Sequence, residues 1–280
     1  MFKKITSVLG TITLICFSFY YTDSAVELIR KTDPIMKQII DYSNDYGNTS
    51  LNSVLVNNNI IPGVKGTAVD IDESYNKMKR LGKFDKSLIV FEEVLPEISI
   101  FNNYDNYIIS GNKQNSNVSF VFTAQDGSYM EEILNILNSK NVKATFFVGN
   151  DFFDNSTDLV RLMLTYGHDV EFLDSDYGVS RIKKYNSIKR SLSNDSFAYC
   201  YTTLKNESLL NNCKSQKLYT IIPSIITEKF PYNDVKNSLE NGSIISFENN
   251  QATVRELSSI INYIRQKGKN IIILEKLLEE

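Results

Sequence analysis

From residue 118 onward, short apolar runs alternate with amphipathic stretches, and this alternation constrains the fold more than any other feature of the chain. The runs are VSFVF (118–122), KATFFV (143–148), HDVEF (168–172), FAYCY (197–201), LYTIIPS (218–224), SIISF (243–247) and NIIIL (270–274). Helical periodicity marks Tyr129 to Leu137, Thr157 to Tyr166, Ser180 to Leu192, Glu207 to Cys213, Asp234 to Leu239 and Val254 to Lys267. Mostly apolar strands separated by helices imply parallel strands with helices on their faces. Seven such strands predict an α/β fold: a (β/α)7-type barrel, closed or nearly closed. An open doubly wound sheet is the alternative. No glycine-rich phosphate loop follows the first strand, which counts against a dinucleotide fold.

Upstream, the spacing is less regular. Residues 26–45 (VELIRKTDPIMKQIIDYSND) are loosely amphipathic, and Pro34 starts or kinks a helix there. Residues 46–66 read as loop. Asp70 to Leu81 has helical period, with Asp70 or Asp72 as cap, and the chain then looks extended to Gly111. The polar connector NKQNSN (112–117) is the expected junction between an accessory region, 26–117, and a main domain, 118–280. At the amino end, Lys3 and Lys4 precede an apolar stretch from Ile5 to Tyr21. Residues 1–25 have the pattern of a secretory signal or a retained membrane anchor, and the lysines favour an extracytoplasmic main domain. The net charge of -3, with no basic stripe, argues against a nucleic-acid partner. Cys200 and Cys213 are expected to be buried free thiols; a disulfide is the alternative outside the cytoplasm.

In parallel α/β folds, chemistry collects at the carboxyl ends of strands. The exits to inspect are Thr123 to Gly127, Glu171 to Tyr177, Tyr201 to Thr203, and Glu248-Asn249. They resemble the motif sites of the polysaccharide deacetylase family, also called the NodB homology domain or carbohydrate esterase family 4. NVKATFFVG (141–149), YGHDVEF (166–172), NGSIISF (241–247) and TVRELSSIINYIRQKGKNIIIL (253–274) resemble family segments in order and spacing. The accessory region also resembles the leader of a secreted bacterial subgroup.

The resemblance implies metal-assisted removal of N-acetyl groups from amino-sugar polymers. An ion held by two His and one Asp polarises the acetyl carbonyl and activates water. A second Asp is the base and a distant His the acid. Residue by residue, the family's TFDDG segment falls on Thr123 to Gly127. That puts Gln125 at the base and keeps Asp126 as the metal carboxylate. The metal histidines fall on Leu173 and Tyr177, the acid on Glu248 or its neighbour, and no arginine lies near Ala198 to Tyr201. A chain with one histidine, His168, cannot supply a two-His site; His168 is expected to pack at the start of its strand.

Two possibilities remain. Asp126, Asp174 and Asp176 are candidate ligands for a divalent cation such as Ca²⁺ or Mg²⁺, with Asp126 or Glu248 as a base. Against this, Asp and Ser cluster in loops for turn geometry alone. Tyr129, Tyr177 and Tyr201 are candidates for stacking on sugar faces, whereas Phe172, Tyr199 and Phe247 are expected in the core. The expected function is a catalytically degenerate, cell-surface module on cell-wall glycan or peptidoglycan, tethered or secreted through its N-terminal segment, with no cofactor. The alternative is a divergent metal-dependent deacetylase.

Overall fold

The computed structural model describes residues 32–101 and 103–280. The apolar leader therefore lies outside the described residues, among which no helix is long and apolar enough to cross a membrane. The strands are β1 (Val54–Val56), β2 (Asn59–Ile61), β3 (Gly66–Val69), β4 (Phe91–Val94), β5 (Tyr107–Ile108), β6 (Asn117–Ala124) and β7 (Thr145–Val148). They continue as β8 (Asp169–Phe172), β9 (Tyr199–Tyr201), β10 (Tyr219–Ile221), β11 (Ile225–Ile226), β12 (Ile244–Glu248) and β13 (Asn270–Ile272). The chain divides into two compact units: residues up to 50 with 65–94, and residues 51–64 with 95–280.

The smaller unit packs helices Pro34–Asp45 and Ile71–Leu81 beside the antiparallel pair β3–β4. Both helices begin at an aspartate cap: Asp33 accepts from the Ile35 amide and Asp70 from the Glu73 amide, both at 2.8 Å. Such a cap is worth ~1 kcal/mol. The other Asp33 oxygen accepts from the Tyr75 hydroxyl at 2.8 Å, linking the two helices. Met36, Ile39, Val69, Tyr75 and Met78 form a small core of their own.

In the larger unit, all seven expected strands of 118–274 form. β6, β7, β8, β12 and the short β11 make a parallel sheet in the order β11-β12-β6-β7-β8. β13 also pairs with β6, through Asn270–Ile272 against Asn117–Ser119. β9 and β10 lie in a second sheet with β5, β2 and β1. The architecture is a distorted (β/α)7 barrel, in which β8 ladders with β7 and β9 with β10.

The side-chain period of two sorts the residues of each strand. Phe120, Phe122, Phe146, Val148, Val170, Phe172, Ile245 and Phe247 point toward the helix layer and meet Ile133, Leu134, Leu257 and Ile261. Val121, Phe147 and Ile244 point the other way, and meet Tyr199, Ile221 and Leu274. Phe172, Tyr199 and Phe247 are core residues, as the sequence suggests.

Three expectations change. The connector 112–117 lies inside the larger unit: β5 joins β10 and β2, and the Asn112 side chain donates to the Pro62 carbonyl at 2.9 Å. The run NIIIL ends as a strand at Ile272, and Leu274, Leu277 and Leu278 bury one face of a short helix, Leu274–Leu278. Cys200 and Cys213 are not free thiols. They are bonded, with Cα atoms 6.4 Å apart, because helix Glu207–Ser215 packs Cys213 against β9 in the core.

Candidate functional site

Strand register builds the site. Ala124 pairs with Val148, Val148 with Phe172, and Thr123 with Glu248, so the four strands β6, β7, β8 and β12 end at one level. The exits of β6, β8 and β12 line a cleft of ≈ 350 Å³ formed by Thr123, Ala124, Gln125, Asp126, Leu173, Glu248 and Asn249. The structure thus brings Gln125, Asp126, Leu173 and Glu248 together, as the motif positions require.

Asp126 is exposed, and its Oδ1 accepts from the Ser128 amide at 2.8 Å. That hydrogen bond holds its carboxyl below the usual range, so it is ionised near neutral pH and poorly suited to take up a proton. Its carbonyl accepts from Asn249 Nδ2 at 2.9 Å, which fastens the exit of β6 to that of β12. Asn249 Oδ1 is buried without a hydrogen-bond partner among the described residues. Glu248 is exposed, and its Oε2 accepts from Asn250 Nδ2 at 3.3 Å. Gln125 Oε1 lies close over Gly149: a Cβ at 149 would sit 2.4 Å from it, so the bare glycine makes room for this amide. An amide has no useful basicity here.

The carboxylates after β8 do not join this cleft. Arg181 Nε bonds Asp174 Oδ2 at 2.7 Å, and the same guanidinium pairs with Asp176. The expected Asp126–Asp174–Asp176 set is therefore divided between two places, because Arg181 in the first turn of Val179–Ser193 pairs with both loop carboxylates. Among the described residues no group of three or more His, Cys, Asp or Glu is placed to hold a metal ion. Nor do the residues at the histidine positions fit the family's ion. Leu173 has no lone pair to give, and the Tyr177 phenol is buried and already bonded.

Among the stacking candidates, Tyr177 is wholly enclosed and packs its ring edge-on against Phe172. It cannot meet a sugar. Its hydroxyl accepts from the Tyr201 amide at 2.7 Å, and burial pushes its pKa above the ordinary value. Tyr201 is partly buried; its hydroxyl shares a 2.7 Å hydrogen bond with Ser246 and its ring leans on Phe147. Tyr129 is 41% exposed at the start of helix Met130–Ser139 and remains available to a ligand.

His168 is 4% exposed, with Nδ1 accepting from the Ala144 amide at 3.2 Å and its ring edge-on to Phe146. Burial, with Lys143 nearby, lowers its pKa to about 4. It packs at the start of β8, away from the cleft.

The residues that sequence reasoning missed are Glu171 and Lys189, each 1% exposed, with Nζ 3.2 Å from Oε1. Glu171 also accepts from the amides of Ala198 (3.0 Å) and Tyr199 (3.1 Å). All of these partners donate, so they fit the carboxylate anion, although burial pushes the carboxyl upward. Lys189 is buried too, which alone would lower it. Glu171, Asp169 and Asp195 outweigh that and keep it cationic. The only sequence signal was a Glu at an interior-facing position of an apolar strand.

Residues 110–172 match the polysaccharide deacetylase family. The "uncharacterized protein YlxY" of Bacillus subtilis (strain 168) is 29% identical over 150 residues, covering 52% of this chain and 46% of that protein. The chain thus spans about half the length of this curated relative. The Bacillus anthracis protein BA3943, described as a CE4 family pseudoenzyme, superposes with a TM-score of 0.68 at 20% identity, over 89% of this chain and 96% of its own. The Bc1960 peptidoglycan N-acetylglucosamine deacetylase superposes with a TM-score of 0.56 at 20% identity, over 62% of this chain and 95% of its own. At these identities the superpositions show a shared fold.

Proposed function

We propose, from the premise that this is a divergent polysaccharide-deacetylase-like domain, that it binds N-acetylated cell-wall glycan outside the cytoplasm without hydrolysing it. One observation carries the reading: the cleft keeps its place at the strand exits but not its reactive groups. Gln125 stands where the base would be, and Leu173 and the inward Tyr177 stand where the metal histidines would be. The remaining groups suit holding an amino sugar. Leu173 offers an apolar contact for an acetyl methyl. Gln125 and Asn249 offer amides to the acetamido group, and Asp126 and Glu248 accept from hydroxyls. The lysine-flanked leader supports an extracytoplasmic place, secreted or anchored. The likeness to a protein named as a peptidoglycan deacetylase supports the ligand class, and the likeness to one named a pseudoenzyme supports the lost chemistry.

Acetate release from N-acetylchitooligosaccharides and peptidoglycan fragments, with and without added zinc, tests this directly. No release is expected, together with oligosaccharide binding measured by calorimetry. The second reading is a divergent metal-dependent deacetylase. What favours it is the placement of two exposed carboxylates, Asp126 and Glu248, on one cleft. Acetate release that stops on chelation and in Asp126→Ala would replace the first reading with the second.

A further inference from the structure

We infer that the loop from Leu173 to Gly178, the family's metal-ligand loop by resemblance, here closes the barrel between β8 and β9, with the Tyr177 hydroxyl doing the work of a missing backbone ladder. β8 ladders with β7 and β9 with β10, so among the described residues the facing edge of β9 has no strand to receive its amides. A buried amide left without an acceptor costs about 1–3 kcal/mol. Side chains from β8 and its loop supply the acceptors. Glu171 takes the amides of Ala198 and Tyr199, and Tyr177 takes that of Tyr201. The Tyr177 hydroxyl also faces the Tyr201 carbonyl, at 3.4 Å, as donor. It therefore offers one acceptor and one donor, as a peptide unit of a neighbouring strand does.

The backbone bears a cost for this. Tyr177 has φ +52°, in the left-handed region that bulky residues avoid. The loop is then fastened from both sides. Arg181 holds its two aspartates, and Asn212 and Gln216 donate to the carbonyls of Asp176 and Tyr177 at 2.8 and 2.9 Å. Asn212 and Gln216 belong to the helix Glu207–Ser215 and its cap, and Cys213 of that helix is bonded to Cys200 of β9. Loop, helix and strand are thus one tied unit. Position 177 has passed from the cleft to the wall of the barrel, and an imidazole cannot be returned there without opening the wall.

Amide hydrogen exchange on the full chain reads this out residue by residue. In the wild type the Tyr201 amide is protected, although no strand among the described residues covers that edge. In Tyr177→Phe it exchanges about tenfold faster, while the Ala198 and Tyr199 amides keep their protection. In Glu171→Gln the pattern reverses. A Tyr201 amide that exchanges as fast as exposed loops in the wild type, or is unchanged in Tyr177→Phe, overturns the inference. A second measurement uses the variant carrying Gln125→Asp, Leu173→His and Tyr177→His. It is expected to melt below the Gln125→Asp/Leu173→His pair and to take up no stoichiometric zinc by elemental analysis. One equivalent of zinc with the melting temperature of the pair overturns the inference.

Discussion

The single histidine makes one test unusually direct. His168 is buried at the start of β8 with Nδ1 accepting from the Ala144 amide, so its proton is on Nε2, which has no hydrogen-bond partner among the described residues. Protonating the ring would turn Nδ1 into a donor facing another donor, inside an apolar wall that includes Phe146. Folding therefore favours the neutral ring and lowers the pKa from 6.5 to about 4. The sign follows from which state binds the proton first. Below pH 6.5 the unfolded chain takes it up and the folded chain does not, so stability falls as pH falls toward 4. The whole effect is ~3 kcal/mol, and between pH 7.5 and pH 5.0 it is ~2 kcal/mol. Proton NMR of the chain's one imidazole gives the folded pKa without assignment. Urea unfolding at the two pH values, in the wild type and in His168→Asn, gives the energy; asparagine keeps an acceptor for Ala144 but does not titrate. An imidazole that titrates near 6.5, or a variant with the same loss between pH 7.5 and 5.0 as the wild type, would refute the reasoning.

Other outcomes follow from the same contacts. Replacing both cysteines by alanine removes a cross-link over 13 residues of sequence separation; the chain-entropy argument predicts a loss of ~3 kcal/mol in urea unfolding, absent when the wild type is compared under reductant. Lys189→Met leaves Glu171 buried without its cation and is expected to cost about 3–5 kcal/mol, whereas Lys214→Met, at an exposed pair with Asp105, is expected to cost under ~1 kcal/mol. If the cleft holds glycan, Leu173→Lys and Asn249→Ala each weaken chitooligosaccharide binding about tenfold or more in calorimetry, measured under conditions where urea unfolding shows each variant fully folded. Equal binding in both variants would move the glycan site elsewhere.

The seven strands were legible because strands buried on both faces are written as continuous apolar runs, and β6, β7 and β12 are such runs. The cleft was legible through its order along the chain: register then carried Gln125, Asp126, Leu173 and Glu248 to one level. What stayed hidden depends on three-dimensional pairing. Tyr177 reads as an exposed aromatic because it follows four loop residues, and nothing local says that its ring turns inward. Lys189 reads as one more charge on a polar helix face, yet Glu171, Asp169 and Asp195 surround it. Spacing alone does not distinguish a disulfide from two thiols, and only the packing of helix against strand brings Cys213 to Cys200. The junction at 112–117 failed because β5 is two residues long, too short to show a period, while the polar stretch beside it marks a turn inside the unit.

The position of β13 bears on the order in which the domain can be finished. One edge of β6 serves β12; the other is shared, with β7 along Val121–Ala124 and β13 along Asn117–Ser119. The half-edge at Asn117–Ser119 thus waits for residues that are made some 150 positions later (Asn270 against Asn117). An emerging chain that has already joined β6 to β7 still carries an uncovered template for a stray strand. The central strand of the sheet is among the first to be synthesised and among the last to be sealed.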